Sequence, residues 1–305
     1  MTTVPTFLVA GAARSGTTGL VEGLRTHPRV FVTQPKEPHY FALHGGPADF
    51  RGPGDAATIN RVAVTERVRY INLFPAQHDY LALGEGSVST LYYAERAVQE
   101  ITTINPRMRV VVILRDPVER AYSSYSYMRA RGFEPHEDFY TALADEQRRR
   151  SESWHHLWHY TGMSYYASCL RTLKDALGPD QVRVWFYDDM VNDYEAVVSS
   201  VLRFIEVSPH PDEAKGVGRV NVSGTPRHPS LQRAIWWATR HESLRRTAKQ
   251  LSSYTFRERI RRNLLRPTGV PRYARDLLNP LFRDDLREVA GMVEGNRPIW
   301  LTRHV

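Results

Sequence analysis

The sequence predicts an α/β protein built on a doubly wound parallel sheet that is flanked by helices. Three observations support this prediction. An apolar strand, a glycine-rich loop and a helix follow one another near the N terminus. The apolar run Val110–Leu114 is typical of a strand covered on both faces. Strand and helix patterns alternate up to about residue 210, and such sheets bind ligands at the carboxyl ends of their strands.

The first elements follow from local patterns. The apolar stretch at residues 6–10 predicts a strand, and TTGLVEGLRT (17–26) predicts a helix with an apolar stripe. His27 and Pro28 end this helix. VFVT (30–33) predicts a short second strand, whereas residues 44–56, rich in Gly, Pro and Asp, predict a loop.

The later elements surround the strand 110–114. A helical stretch precedes it and ends at Asn105–Pro106. After the strand, Asp116 is the expected N-cap and Pro117 the first residue of a helix that runs to about Arg131. VRVWFYDDM (182–190) predicts a further strand.

Composition indicates an ordinary globular protein. The chain has 305 residues, 42% apolar and 24% charged, and one cysteine, Cys169, which excludes an internal disulfide. It shows no apolar run of transmembrane length and no basic leader segment, so we expect a cytoplasmic protein. We expect a single domain over 1–305, with an α/β core (1–210) and an Arg-rich extension of loops and helices (211–305) packed on it.

The net charge of +8 is concentrated late in the chain. Between residues 227 and 275 there are 13 Lys and Arg against two acids, Glu242 and Glu258. This excess of basic residues is consistent with a solvated basic face. It is also consistent with a surface that binds an acidic substrate or contacts an anionic membrane peripherally. No helix-turn-helix, zinc-finger or RNA-binding signature is present, so no nucleic-acid partner is predicted.

The loop GAARSGTTGL (11–20) resembles a phosphate-binding P-loop without its lysine. Gly11, Gly16 and Thr18 fit G-x-x-x-x-G-K-[ST], but Thr17 occupies the lysine position and Arg14 lies inside the loop. Backbone N–H groups and the helix dipole still favour one phosphate there. Without the lysine, a triphosphate loses its main cation. A glycine turn needed only for packing is the alternative.

Two further segments offer side chains suited to chemistry at this loop. Glu37 and His39 in QPKEPHYF (34–41) share a face if the chain is extended, which suits a general base and its helper. The alternative is that Glu37 is a solvent-exposed residue of a Pro-rich loop. Arg115 follows the apolar strand, and Ser123 lies two turns into the next helix, so both can reach a second anion. The alternative for Arg115 is a structural ion pair.

No metal site is predicted. A magnesium site of the Walker type needs an acid directly after the apolar strand, and Arg115 stands there instead. His155 and His159 have the i, i+4 spacing of metal ligands, but the sequence offers no third ligand beside them. The aromatic residues that surround them form either part of the core or the wall of a substrate pocket.

Together these segments resemble the sulfotransferases that use 3′-phosphoadenosine 5′-phosphosulfate (PAPS), in particular the bacterial, heparan-sulfate-type branch. The resemblance lies in GAARSGTTGL, KEPHYF and VVVILRDPVERAYSSY, and more weakly in segments up to about residue 227. It implies transfer of a sulfuryl group to an acceptor hydroxyl without a metal. Sugars, glycolipids and secondary metabolites are the acceptors implied.

The resemblance also implies roles for single residues. The 5′-phosphosulfate is held by Arg14, Ser15, Gly16, Thr17 and Thr18, the 3′-phosphate by Arg115 and Ser123, and a late loop with Lys215, Gly216 and Arg219 closes over it. Glu37 is then the base, with His39 nearby. Many relatives have lysine at the position of Arg14. Because arginine stays protonated, Arg14 can act only through its charge.

Two other functions remain open from the sequence. One is a P-loop kinase or NTPase with an atypical loop, and the other is a non-enzymatic binder of anionic polymers. The sequence leaves the acceptor and the oligomeric state open.

Overall fold

A computed structural model describes residues 4–209, 225–226, 265–266 and 269–303. The strands are β1 Phe7–Gly11, β2 Val30–Val32, β3 Ala82–Glu85, β4 Arg109–Leu114, β5 Val182–Phe186, β6 Thr225–Pro226 and β7 Leu265–Arg266. The helices before β4 are α1 Thr17–Arg25, α2 Tyr40–Leu43, α3 Ile59–Val62, α4 Arg67–Ile71, α5 Ser89–Tyr92 and α6 Ala94–Ile104. Those after it are α7 Pro117–Ala130, α8 Phe139–Ala144, α9 Glu146–Ser151, α10 Ala167–Leu177, α11 Tyr187–Asn192, α12 Tyr194–Phe204, α13 Arg272–Met292 and α14 Ile299–Thr302.

The first five strands form one parallel sheet in the order β2-β3-β1-β4-β5. The chain leaves β1 toward one edge of the sheet and, after β3, crosses over to build the other half. The order therefore reverses between β1 and β4, and the carboxyl ends of these two strands meet at that point. The doubly wound parallel sheet predicted from the sequence is confirmed. β6 and β7 form a separate antiparallel pair.

Alternation along the central strands explains the helices on both faces. In β1, Phe7 and Val9 belong to a core cluster with residues of α1 and α12. Leu8 and Ala10 belong to the opposite cluster, with residues of α6, α10 and α13. Successive side chains of a strand point to opposite faces, so a strand that is apolar throughout requires cover on both sides.

The connection from β4 to α7 follows the expected pattern. Asp116 caps α7, since its Oδ1 accepts hydrogen bonds from the backbone N–H groups of Val118 (2.9 Å) and Glu119 (3.0 Å). Pro117 is the first helical residue, and the helix ends at Ala130, one residue before the predicted end. This cap fixes where α7 begins relative to the carboxyl end of β4.

Two elements differ from the prediction. The strand expected over 182–190 ends at Phe186, and residues 187–190 lie in α11. Asp188 and Asp189 fall in the first turn of α11, where acidic residues suit the helix dipole. β3 was not predicted at all. It has four residues, includes Gly84 and ends on the buried Glu85, so it carries neither alternation nor a long apolar run.

The described part of the C-terminal extension packs on the core. α13 lies against α7 and α10. The carboxylate of Asp285 on α13 accepts hydrogen bonds from the backbone N–H groups of Tyr166 (2.9 Å) and Ala167 (3.0 Å), where α10 begins. Most of the basic segment 227–275 lies outside the described residues. Among the helices that the structure describes, none is long and apolar enough to cross a membrane.

Candidate active site

The loop between β1 and α1 is held against β4 and turns sharply into the helix. The backbone N–H of Ala12 donates to the carbonyl of Ile113 (2.8 Å). Arg14 and Gly16 adopt positive φ angles of 69° and 87°, which turn the chain into α1. The positive φ favours glycine at position 16, and a Cβ there would also lie only 3.1 Å from Cδ2 of Tyr187, which would have to shift slightly. α1 then starts at Thr17, so Thr17 and Thr18 lie in its first turn.

Ser15 is the loop residue whose side chain most clearly needs a partner. It is fully buried, and its hydroxyl makes no hydrogen bond to any described residue. A buried hydroxyl left without a partner costs about 1–3 kcal/mol. A bound anion can supply the missing bond.

Arg14 joins the loop to α7. Its Nε donates to the Ser123 hydroxyl at 3.2 Å, and its guanidinium carbon lies 4.5 Å from the centre of the Tyr127 ring. Burial lowers the pKa of Arg14 to about 10, with Tyr127 opposing and Arg115 and Arg131 adding to the decrease. Arg14 therefore stays charged at neutral pH, and the structure brings together two residues that the sequence placed on separate phosphate motifs.

Arg115 lies beside Arg14 at the carboxyl end of β4. Its Nη1 donates to the Arg14 carbonyl at 3.1 Å, and its guanidinium packs over the Tyr187 ring at 4.5 Å. Its Nη2 forms an ion pair with Glu119 at 3.1 Å, the structural role considered as the alternative. Nε is buried and has no partner among the described residues, so one edge of the guanidinium remains for a ligand.

The segment after β2 forms a group of three charged or titratable side chains. Glu37 Oε1 accepts a hydrogen bond from Lys36 Nζ (2.8 Å), and its Oε2 lies 3.7 Å from His39 Nε2. The Glu37 side chain is 31% exposed, so the carboxylate is accessible from outside. Glu37 and His39 thus lie on the same side, as expected, but Lys36 was not predicted, although it precedes Glu37 in the sequence.

The backbone reason for this arrangement differs from the expected one. His39 is not extended: its φ is 58°, and it caps the short helix α2. Its backbone N–H donates to the Ser87 hydroxyl (3.0 Å), and its Nδ1 is 2.8 Å from the Ser89 hydroxyl. Residues after β3 therefore hold the imidazole in place, which no pattern near His39 in the sequence could indicate.

Opposing effects set the protonation of Glu37 and His39. Burial raises the pKa of Glu37, but Lys36, His39 and Arg14 outweigh it, so the pKa lies below its ordinary value. Burial lowers the pKa of His39 more than Glu37 raises it. At neutral pH the carboxylate is ionised and the imidazole is neutral, so Glu37 can accept a proton.

A cavity of about 250 Å³ opens beside Glu37 and His39. Its other walls come from the loop before α3, from α3, from the end of α7 and from the segment around His155 and His156. Tyr127 and Arg131 line it as well, and they lie four and eight residues after Ser123, on one helical face. This spacing was a usable signal that the sequence analysis did not exploit.

The remaining candidates either make other contacts than a metal site would require or lie outside the described residues. Lys215, Gly216 and Arg219 lie outside the described residues. His155 Nε2 is 3.4 Å from Asp55 Oδ1, whereas His159 Nδ1 is 2.9 Å from the Tyr92 hydroxyl. Across the part of the chain that is described, no three His, Cys, Asp or Glu side chains are grouped as metal ligands.

Comparison with known proteins identifies the family. Residues 5–212 match the family model described as "Sulfotransferase family", which is more than half of the chain. The chain belongs to the sulfotransferase family. This membership confirms the resemblance seen in the sequence and places the chain among proteins that transfer sulfuryl groups.

Two curated sulfotransferases to which the chain is similar share no more than 29% of its residues over the matched regions. Human carbohydrate sulfotransferase 15 is 29% identical over 152 residues, 41% of this chain and 27% of that protein. Human bifunctional heparan sulfate N-deacetylase/N-sulfotransferase 3 is 26% identical over 217 residues, 68% of this chain and 23% of that protein. The matched regions thus span about a quarter of these curated relatives. A sulfotransferase structure from Alicyclobacillus acidocaldarius shares the fold, with a TM-score of 0.73, 23% identity, and coverage of 97% of this chain and 98% of that one.

Proposed function

We propose that the protein transfers a sulfuryl group from PAPS to an acceptor hydroxyl, with Glu37 as the general base. One observation carries the proposal: a single guanidinium, that of Arg14, belongs to the glycine loop, contacts Ser123 of the second anion motif and lowers the pKa of Glu37. A donor with one phosphate at each end and an acceptor beside the base would all be within reach of this group.

The residues at the loop fit such a donor. Arg14, Ser15, Gly16, Thr17 and Thr18 would hold the 5′-phosphosulfate, and the unpartnered Ser15 hydroxyl gives it a buried donor. Thr17 cannot replace the lysine that a triphosphate needs, which favours a ligand with one phosphate at this point.

A second set of residues would hold the 3′-phosphate. Arg115 and Ser123 have polar atoms directed toward Arg14, and Nε of Arg115 lacks a partner in the described chain. Lys215, Gly216 and Arg219, which lie outside the described residues, are proposed to complete this end.

The chemistry assigned to the chain is proton transfer and charge stabilisation. PAPS supplies the sulfuryl group and leaves as 3′,5′-adenosine bisphosphate. Glu37 takes the acceptor's hydroxyl proton as the new O–S bond forms, and Lys36 holds the carboxylate in its ionised form. Arg14 and the loop N–H groups stabilise the charge that develops on the phosphate oxygen as its bond to sulfur breaks.

A thermal-shift comparison tests this function against its alternatives. We expect 3′,5′-adenosine bisphosphate to raise the melting temperature in the absence of magnesium, because a ligand that binds only the native state stabilises it. Stabilisation by Mg-ATP alone would indicate a kinase or NTPase. Salt-sensitive binding of an anionic polymer with no effect of either nucleotide would indicate a non-enzymatic binder.

A further inference from the structure

The cavity beside Glu37 contains an arginine that no acid of the described chain neutralises. Arg131 follows α7, and its guanidinium carbon lies 4.3 Å from the centre of the Tyr127 ring. On the same stretch of chain, Arg115 is paired with Glu119 (3.1 Å) and Arg129 with Glu137 (3.8 Å). Within the described residues, Arg131 has no ion pair, and its buried Nε has no hydrogen-bond acceptor.

Stacking on Tyr127 does not replace an acceptor. Two guanidinium groups contact the Tyr127 ring, that of Arg14 from the glycine loop and that of Arg131 from the cavity. A cation over a ring is attracted by the electrons of the ring face. This attraction leaves the N–H groups of the guanidinium unbonded, and these groups match the two oxygens of a carboxylate or phosphate.

The charged side chains that line the cavity give it a net positive charge. Arg61 on α3 also lines it, is exposed and has no ion pair within the described residues. The acid in the lining, Glu37, is already bonded to Lys36. Burial lowers the pKa of His39, His155 and His156, so the imidazoles are neutral at pH 7. Two permanent positive charges are therefore left for a ligand.

Most of the remaining side chains that line the cavity are apolar. Ile59, Met128, Phe133 and Leu157 form the walls, and the volume of about 250 Å³ is below the range of roughly 300–1,000 Å³ for drug-sized ligands. The cavity thus suits a small apolar body, or one end of a larger molecule.

We infer that the acceptor is a hydroxyl compound with an apolar body and an oxyanion group, a carboxylate or a phosphate, that Arg131 binds with help from Arg61. This inference rests on the proposed function, because the hydroxyl is then the group that lies at Glu37. Arg131 is in this sense a residue that determines specificity, whereas Arg14 serves the donor.

Isothermal titration tests the inference with three matched probes: 4-hydroxyphenylacetate, its neutral amide and 4-hydroxybenzylphosphonate. Each is titrated with and without 3′,5′-adenosine bisphosphate. We expect at least one anionic probe to bind about tenfold or more tightly than the amide, because hydrogen bonds between two charged groups are stronger than those to a neutral group. Whichever anion binds more tightly identifies the oxyanion.

Substitutions test whether Arg131 is the residue that binds the anion. Arg131→Gln should remove the preference for the anion and leave the affinity for the amide and the bisphosphate unchanged. Arg131→Lys, which keeps the charge but loses the fork, should weaken anion binding several-fold and covers the case in which the glutamine variant fails to fold. The matched control is Arg69→Gln, an exposed arginine on α4 outside the cavity, which should change nothing.

The outcomes separate the two proposals. Equal affinity for anions and amide in the unmodified protein, or a preference that survives Arg131→Gln, overturns this inference even if the bisphosphate binds. An anion preference that depends on Arg131, found without any bisphosphate binding, supports the cavity's ligand class and contradicts the PAPS donor.

Discussion

At the scale of single residues, Glu37 is the group on which the proposed chemistry depends. Glu37→Gln keeps the shape of the side chain but cannot accept the proton, so turnover should fall about 10²–10⁴-fold. The affinity for 3′,5′-adenosine bisphosphate should be unchanged, since Glu37 is assigned no contact with the donor. Sulfo-group transfer measured by mass spectrometry and bisphosphate titration give the two readouts. Turnover close to that of the native chain would transfer the role of base to His39.

Glu85 is a second residue whose protonation matters, in this case for stability. It is fully buried, accepts a hydrogen bond from the Ser87 hydroxyl (2.6 Å), and burial raises its pKa to about 8. Since its pKa in the unfolded chain is about 4.3, the native state binds the extra proton between these values. Stability should fall as pH rises through this window, by about 1.4 kcal/mol per unit.

Glu85→Gln removes this dependence because the amide does not ionise. We expect the variant to gain stability over the native chain between about pH 5 and 8, and the difference to level off above the raised pKa. Urea midpoints measured across that range provide the test. A constant difference at every pH would mean that Glu85 is ionised in the folded protein.

At the scale of elements, α9 is anchored by a buried ion pair. Arg149 and Glu134 are both inaccessible to solvent, and their two hydrogen bonds are 2.7 and 2.8 Å long. Removing one partner of such a pair leaves a buried charge and costs about 3–5 kcal/mol. Arg149→Gln should therefore reduce the free energy of unfolding by that order.

Its neighbour in the chain is the matched control. Arg148 contacts Asp145 (2.6 Å), but its side chain is 48% exposed. Exposed pairs contribute about 0–1 kcal/mol, so Arg148→Gln should have a small effect in the same unfolding experiment. Similar losses for both variants would show that burial does not distinguish the two pairs.

Some secondary-structure elements could be predicted from the sequence and others could not. β1, β4 and the capped start of α7 could be predicted because an apolar run, a glycine loop or an Asp-Pro pair determines them locally. β3 could not, since burial of Glu85 depends on neighbours far away in the sequence. For the same reason the site was found only in part: Glu37 and Arg14 belong to motifs, whereas Tyr127 and Arg131 gain their position from packing.

At the scale of the whole molecule, the reversal of strand order brings distant segments to one place. Arg14 lies in the loop after β1, and Arg115 directly follows β4. Because these strands are neighbours in the sheet, the Arg115 side chain reaches the backbone carbonyl of Arg14. A helix from the far end of the chain reaches the same point. Arg275 on α13 donates to Glu119 (2.8 Å), the carboxylate that also pairs with Arg115. Glu119 is thus shared between two arginines.

This sharing predicts a long-range effect on the donor site. In Arg275→Gln the whole charge of Glu119 would act on Arg115, so Arg115 would attract a 3′-phosphate less strongly. For a partly exposed pair we expect a loss of about 0.5–1 kcal/mol, or roughly two- to fivefold weaker binding of 3′,5′-adenosine bisphosphate by titration. Turnover at saturating PAPS should stay unchanged because Glu37 and its neighbours are untouched.

A second arginine of α13 provides the control for this effect. Arg287 pairs with Asp284 (2.8 Å) on the exposed side of the helix, away from Glu119. Arg287→Gln also removes one positive charge from the molecule. It should therefore show only the effect of net charge on bisphosphate binding, and that effect should be smaller than the loss in Arg275→Gln. Equal affinities in the two variants would mean that the contact of α13 with Glu119 does not tune Arg115. Weaker bisphosphate binding in Arg275→Gln but not in Arg287→Gln would show that α13 influences the electrostatics of the donor site, although it contributes no residue to the glycine loop.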